Sequence, residues 1–378
     1  MFLEVHLLQN FALSNLNRDD TGAPKSCIFA GSRRARISSQ CLKRAVRTSV
    51  REEGMVPSEQ LAYRTKKIVS LLIKHLTAAG LNEEEASIVA QNAIEGIKFN
   101  LANGKTEYLL MVSEREVEKL VKICSENVEK LNRPRKRTDK EKDKEIDKEL
   151  AKQLLNALDG GEAVDIALFG RMVATHQDKS IDAAVQMAHA FSTNVIANEF
   201  DFYTAVDDLQ QKTDDEGAGA AMMGTILYNS SCYYRYTNLD FKQLSTNLNK
   251  KSDMVITAIQ AFLEGMVKAV PTGKQTNTAA QNPPALIMAV VRDSGLWSLA
   301  NAFTTPVRND IIEVSAKQLF NHWEQLATLY GVEGIQYAGY ATYLPEKVLD
   351  NNLTHCPVRE RNFAELKKRV AEEILSEC

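Results

Sequence analysis

The sequence predicts an α+β protein whose core is a small antiparallel sheet interrupted by large insertions. Three observations carry this reading. Strand-like segments are few and fall near the start, the middle and the end of the 378 residues. A block over residues 57–158 reads as almost entirely helical. After it, residues 200–228 read as a long hairpin with a polar, glycine-rich tip. At about 150 residues per domain the length gives a prior of roughly two to three structural units. A hydrophobic content of 44% suffices for a sizeable core, which excludes wholesale disorder, collagen-like chains and disulfide scaffolds.

Taken in order, residues 2–8 open as a strand, because Leu3, Val5 and Leu7 alternate with Glu4 and His6. A loop rich in Asn, Asp, Gly and Pro follows over residues 14–24. The first helix is predicted from about 39 to 53, with Leu42, Ala45, Val46 and Val50 in one arc facing the core. In the helical block, Ser113-x-x-Glu116 is a capping box and Asn82-x-x-Glu85 is a similar start. Its end, residues 133–152, is the most charged stretch. That run reads either as a solvated loop and exposed helix or as a flexible basic finger touching nucleic acid. A helix is expected near 181–191. In the hairpin, Phe200, Phe202, Thr204 and Val206 share one face and residues 222–228 form the return strand. The remainder alternates: strand 232–236, helix 252–270, buried strand 285–291, and a helix to Tyr330 capped by Ser315-x-x-Gln318. A last strand over 335–343 and a terminal helix capped by Asn362-x-x-Glu365 complete the chain. Trp297 and Trp323 lie in apolar surroundings and are expected in the core.

The net charge of −3 conceals an uneven distribution. Between residues 21 and 51 stand Lys25, Arg33, Arg34, Arg36, Lys43, Arg44, Arg47 and Arg51, with no acid among them. Removing that +8 from −3 leaves −11 on the rest of the chain. A positive surface on an acidic body is the footprint of a polyanion-binding protein. On the predicted helix Lys43, Arg47 and Arg51 follow i, i+4, i+8 with Arg44 beside them, opposite the apolar arc. Ser38, Ser39 and Gln40 sit at its N-terminus, where free N–H groups also favour anions. Upstream, Gly31-Ser32 allows close backbone approach, and Arg33, Arg34 and Arg36 extend the patch. The alternative is a basic helix solvated by water. No second short helix and tight turn stand beside it, as a helix-turn-helix requires. The hairpin is the electrostatic opposite, with seven acids and one lysine between 193 and 224. If it meets nucleic acid, it does so by wedging or stacking with its aromatics.

A search for catalytic patterns returns little. Gly273-Lys274 fails as a phosphate loop, because Lys268 and Gln275 occupy positions that need Gly and Ser/Thr. The six histidines show no helical zinc spacing, and the six cysteines include no C-x-x-C, which suits a reducing compartment. Asp19-Asp20 and Asp207-Asp208 are adjacent acids that either hold Mg²⁺ for phosphodiester cleavage or turn the chain. No catalytic residue, metal or cofactor is expected. The first residues lack the basic region of a signal peptide and no apolar run approaches a membrane span, so a cytoplasmic protein with no membrane partner is expected.

Several motifs agree on a family. Ser14-Asn-Leu-Asn-Arg-Asp-Asp20, the run from Gly31 to Arg47, Asp165-Ile-Ala-Leu-Phe-Gly-Arg-Met172 and Tyr203-Thr-Ala-Val-Asp-Asp-Leu209 resemble the CasC family. Gly273-Lys-Gln275, Asn282-Pro283 and Leu299-Ala-Asn-Ala-Phe303 fit it too, and the resemblance covers roughly the first 330 residues. That family forms the backbone of the type I-E CRISPR surveillance complex, Cascade. The resemblance implies an RRM-like (ferredoxin-like) palm over 1–56, 159–192 and 228–378, a helical fingers insertion over 57–158 and a projecting β-hairpin thumb over 193–227. It implies copies lined head to tail along one CRISPR RNA, each thumb kinking the guide so that short stretches pair with target DNA. Cleavage then belongs to a recruited helicase-nuclease, and other Cascade subunits complete the assembly.

Carried over by motif, the guide-binding positions are Arg18, Lys25, Ser38, Gln40, Lys43, Arg44 and Arg47, with Met172, Phe202 and Tyr203 near the kink. Arg34 and Arg36 join them through the basic run, and Lys274 and Gln275 match a loop expected to approach the guide. Two features depart from the family pattern: the tip over 212–219 is acidic, and 133–152 has acids between its lysines. The −6 thumb against the +8 segment suggests that charge complementarity sets the head-to-tail register. The rivals are a metal-dependent RNA-cleaving relative using Asp19 or Asp20, and a stand-alone DNA-binding regulator.

Overall fold

The computed structural model describes residues 1–133, 146–205, 222–348 and 353–376. The chain opens with β1 (Phe2–Ser14), β2 (Ser26–Phe29), β3 (Ser32–Ile37) and α1 (Ser39–Glu52). Next come β4 (Ala62–Thr65), α2 (Ile68–Ala78), α3 (Glu83–Gly96), β5 (Leu101–Ala102), β6 (Lys105–Thr106) and β7 (Leu110–Ser113). Then follow α4 (Glu114–Glu126), α5 (Val128–Leu131), α6 (Lys148–Asn156), α7 (Val164–Phe169), β8 (Val185–Met187), β9 (Ala190–Ser192) and β10 (Glu199–Ala205). After these come β11 (Met222–Asp240), α8 (Phe241–Asn247), α9 (Ser252–Lys268), α10 (Gln275–Thr278) and β12 (Leu286–Arg292). The chain closes with α11 (Ile311–Tyr330), β13 (Ile335–Thr342), β14 (Val358–Arg359) and α12 (Phe363–Ser376). Among the described residues no helix is long and apolar enough to cross a membrane.

Two compact units divide the chain: Met1–Ser49 with Gln186–Leu239 and Phe262–Cys378, and Val50–Val185 with Asp240–Ala261. The first holds a ten-stranded sheet in the order β14-β13-β12-β1-β11-β9-β3-β2, with β8 and β10 also on β11. Its registers include antiparallel β1–β12 (Leu3↔Val291) and β12–β13 (Met288↔Tyr340), whereas β13 and β14 run parallel. The fold is α+β as predicted, but the sheet is larger than the sequence implied. Residues 181–191 account for part of the difference. The expected helix is instead β8 and β9, because Phe191 pairs with both Tyr234 and Arg36. Cross-strand partners outweigh the helix propensity of Ala, Met and Gln there.

On one face of this sheet Leu8, Met288, Val290 and Tyr234 form a core with Leu319, Phe320 and Trp323 of α11. Trp323 is buried in that core as expected, whereas Trp297 is half-buried and packs edge-on against it at 5.4 Å. Ser315 does not cap α11. The helix starts a turn earlier, and the buried Ser315 Oγ sits 2.5 Å from the Ile311 carbonyl and 2.9 Å from Thr193 Oγ1.

The second unit is less uniformly helical than predicted. Its core is Leu72, Leu76, Val89, Ile94, Val117 and Leu120 from α2, α3 and α4. The capping box at Ser113 and the cap at Asn82 both form. Two strand pairs, β4–β7 and β5–β6, interrupt the helices. The second turns at Asn103-Gly104, whose φ values of 52° and 70° suit a two-residue turn with both central residues left-handed.

A polar network lies inside the first unit. Glu4 is fully buried; its carboxylate accepts from Tyr236 Oη at 2.7 Å, Trp297 N at 2.7 Å and Arg292 Nη1 at 3.2 Å. Beside it His6 Nδ1 is 2.9 Å from Tyr234 Oη, and burial, with Arg292 adding repulsion, pushes the imidazole down to about 3. The unfolded chain therefore takes the proton first. The stability that neutral His6 contributes is complete above pH 6.5 and is lost as pH falls toward 3. Burial raises Glu4, which opposes that loss closer to the carboxylate range. Between pH 6.5 and 5 the expected decline attributable to His6 approaches 1.4 kcal/mol per pH unit. Urea unfolding of His6→Gln across that window should show a flatter profile; a slope equal to wild type would disprove the assignment.

Candidate nucleic-acid interface

Three segments far apart in sequence meet around the loop after β1. Asp19 Oδ1 accepts from Thr21 N (2.9 Å), Thr21 Oγ1 (2.7 Å) and Ala23 N (3.0 Å), and the Thr21 bond leads in holding this carboxyl below its ordinary range. Asp19 thus ties a turn. Asn15 Nδ2 donates to Gly22 O at 3.0 Å and to Leu227 O at 2.9 Å, fixing the turn to β11. Asn17 Oδ1 accepts from Ser38 N at 2.8 Å, and Lys25 N returns to Asn17 O at 2.8 Å. Those bonds join the loop to the start of α1.

The third segment is the loop around α10. A Cβ on Gly273 would collide with the Leu16 carbonyl and fall 2.8 Å from Asn15 O. Only glycine allows so close an approach of two backbones. Lys274 follows in left-handed conformation (φ 54°) and is half-buried. Gln275 Nε2 donates to Pro271 O at 3.0 Å and Ala280 O at 3.1 Å. Its amide is therefore engaged within its own loop.

The apolar arc of α1 is buried as predicted: Leu42, Ala45, Val46 and Val50. Arg44 and Gln40 are exposed, and Lys43 and Arg47 are half-buried. Partial burial pushes the Lys43 amine down. Ser38 is a cap: its buried Oγ accepts from Cys41 N at 3.3 Å. Arg18 is exposed and Lys25 half-buried. Arg36 Nη1 lies 3.2 Å from His189 Nδ1, and burial followed by the Arg36 and Lys25 charges pushes that imidazole down. Arg51 is held elsewhere, donating to Ala62 O at 2.8 Å with Tyr63 at 5.1 Å beneath it.

Arg34 must be removed from the exposed patch. It is fully buried; Nη1 donates to Ser192 O (3.0 Å) and Thr193 O (2.6 Å), and Nη2 to Phe303 O (2.7 Å). It holds three backbone segments together and presents no charge to a ligand.

The hairpin stem pairs β10 with β11 in the register Phe200↔Leu227, Phe202↔Thr225 and Tyr203↔Gly224. Phe200 (77% exposed) and Phe202 (65%) stand on one face, uncovered among the described residues. Tyr203 lies on the other face over Gly224, where a Cβ would fall 2.5 Å from the phenol oxygen. Glu199, Phe200, Asp201 and Tyr228 of the stem, with Leu13, Asn277 and Thr278, line an open groove of about 410 Å³. Residues 206–221, including Val206, Asp207, Asp208 and the tip, lie outside the described residues, as does 134–145.

In the second unit Met172 is 83% exposed. The residues before it are structural: Asp165 Oδ1 accepts from Ala62 N at 2.8 Å, and Arg171 is buried against Glu116 at 2.7 Å. Sequence reasoning missed the scaffold roles of Asn15, Asn17 and Gly273. The Asn-rich composition of the loop was the available signal, while its partners lie far along the chain.

Residues 3–369 match the CT1975-like protein family. A solved chain described as "CRISPR RNA-guided surveillance complex, pre-nicking" superposes with a TM-score of 0.87 at 29% identity, covering 98% of this chain and 99% of its own. Another, described as "CRISPR RNA-guided surveillance complex", gives 0.74 at 25% identity over 98% and 99%. No curated protein matches in sequence. The agreement extends the CasC-type resemblance of the motifs to nearly the whole chain, which belongs to the CT1975-like family.

Proposed function

We propose that this chain is a guide-RNA-binding backbone subunit of a type I-E CRISPR surveillance complex, working in the cytoplasm. In this reading residues 1–56, 159–192 and 228–378 form an RRM-like palm, several copies pack head to tail along one CRISPR RNA, and the guide is presented to target DNA. The subunit does not cleave nucleic acid; a recruited helicase-nuclease does, and other Cascade subunits close the assembly. One observation carries the reading. Arg18 and Lys25 lie on the 14–25 loop, Lys43, Arg44 and Lys274 lie on the two segments held against that loop, and none of the five forms an ion pair among the described residues. Cations held without carboxylate partners suit a chain of phosphates. The exposed Phe200–Phe202 face supports the wedge role, since an acidic hairpin lacks charge attraction for RNA.

The test is co-expression with a repeat–spacer array and the partner subunits, followed by purification and sequencing of bound RNA. Repeat–spacer RNA in a particle with several copies of this chain is expected. A monomer free of RNA under those conditions would refute the proposal. Incubating the particle with paired target RNA and Mg²⁺ should leave the RNA intact; cleavage abolished by Asp19→Ala would establish the enzymatic alternative instead.

A further inference from the structure

A second cationic surface lies in the unit that contains β4–β7, and it has no part in the interface described above. Arg64, Lys66 and Lys67 end β4 and lead into α2, and all three are exposed. The β5–β6 hairpin is bonded to the same place: Thr106 N donates to Lys66 O at 2.9 Å, and Thr106 Oγ1 bonds Tyr108 O at 2.7 Å. Lys105 and Tyr108 are therefore near neighbours of Lys66. Register adds the rest, with Arg64 opposite Met111 and Thr65 opposite Leu110. Lys98 enters the same hairpin from α3, with Glu107 N bonded back to Asn100 O at 3.1 Å.

Over residues 62–67 and 98–109 there are five bases and one acid, Glu107. None of the five forms an ion pair among the described residues. Amid them Tyr108 is 60% exposed and Leu109 47%. α2 also begins here with no acid in its first turn and no capping side chain, so its amide end adds to the positive potential. Solvated surfaces mix signs and keep large apolar groups under cover. The Tyr108 hydroxyl is engaged by Glu107, which leaves the ring face open on a segment bonded to the lysine-bearing one. Exposed cations beside an exposed aromatic ring suit a single strand, phosphates on the lysines and a base on the ring.

We infer that this patch is a binding surface for single-stranded DNA, separate from the guide-binding interface. The choice of DNA rests on the proposed function, because pairing a guide with one strand of a duplex frees the other. The strand's chemistry rests on the patch alone. Tyr108 stacks on a base, and Lys66, Lys67, Lys98 and Lys105 contact phosphates without reading sequence.

The experiment uses the purified assembly, or the isolated chain if it carries no RNA. Its probe is a fluorescent mixed-sequence DNA strand of about 20 nucleotides, longer than a typical single-strand site. Binding is read by anisotropy across a salt series. Lys66→Glu/Lys105→Glu should weaken binding roughly tenfold near 0.15 M salt and lower the salt slope by about 1.4. Tyr108→Leu should weaken it about tenfold with the slope unchanged. Both variants alter exposed side chains, and their bound guide RNA, measured separately, should match wild type. An assembly without guide would refute the proposed function while leaving the patch measurement readable. Unchanged DNA affinity in both variants overturns the inference, as does loss only in Lys43→Glu/Arg44→Glu. Equal competition by poly-glutamate with no effect of Tyr108→Leu points to an acidic protein partner instead. Preference for an RNA strand of the same sequence refutes the assignment to DNA.

Discussion

Arg171→Met is expected to destabilise the unit built on α2, α3 and α4 by about 3–5 kcal/mol, the scale for a buried ion left without its partner. Glu116 and Arg171 have side chains 0% and 1% exposed and meet at 2.7 Å. Glu116 is also the reciprocal member of the Ser113 capping box, with Oε2 accepting from Ser113 N at 2.8 Å and Oε1 from Gly160 N at 2.7 Å. Arg171 binds the Leu158, Lys179 and Met111 carbonyls at 3.1–3.3 Å. One ion pair therefore joins the start of α4 to two loops. Removing the guanidinium strands a carboxylate away from water. Removing both charges strands nothing, so Glu116→Gln/Arg171→Met should recover part of the loss. Tryptophan fluorescence would miss the event, because Trp297 and Trp323 lie in the other unit. Hydrogen exchange of the α4 amides reads it directly. Additive losses in the double variant would show that the two charges are not coupled.

That pair shows what the sequence could and could not disclose. The buried arc of α1 and the caps at Asn82 and Ser113 were legible because each depends on residues a few positions apart. The motif ending in Gly170-Arg171-Met172 was legible as a signature, but not the division of labour within it. Arg171 turns inward and Met172 outward, and the partner that decides this is 55 residues away. Arg33 and Arg34 make the same point on β3. They are chemically alike, yet Arg33 is exposed and Arg34 is buried under carbonyls 158–269 residues distant. A run of basic residues announces a charged surface, and only the sheet decides which of them reach it. Residues 181–191 failed for a related reason. Their composition suits a helix, while the strands that recruit them lie elsewhere in the sequence. Gly273 drew notice as a failed phosphate loop and as part of a family motif; its close approach to Asn15 and Leu16 needed the folded chain.

The same contrast yields the prediction with the largest functional effect. Changing Arg18, Lys25, Lys43 and Arg44 together to Gln is expected to weaken guide-RNA binding about 200-fold near 0.15 M salt. Each phosphate contact to a single strand contributes about 0.7 to the slope of log affinity against log salt, so four removals lower it by about 2.8. At 0.15 M that difference is roughly 2.3 decades. Arg34→Gln should behave differently. Arg34 faces the Ser192, Thr193 and Phe303 carbonyls rather than solvent, so its loss weakens the scaffold and lowers thermal stability without changing the slope. Affinity alone does not separate the two kinds of arginine, since a distorted site also binds poorly. The slope does, because it counts released ions. A quadruple variant with the wild-type slope would mean that the phosphates lie elsewhere. An Arg34→Gln slope reduced by about 0.7 would mean that this side chain leaves its carbonyls when RNA binds.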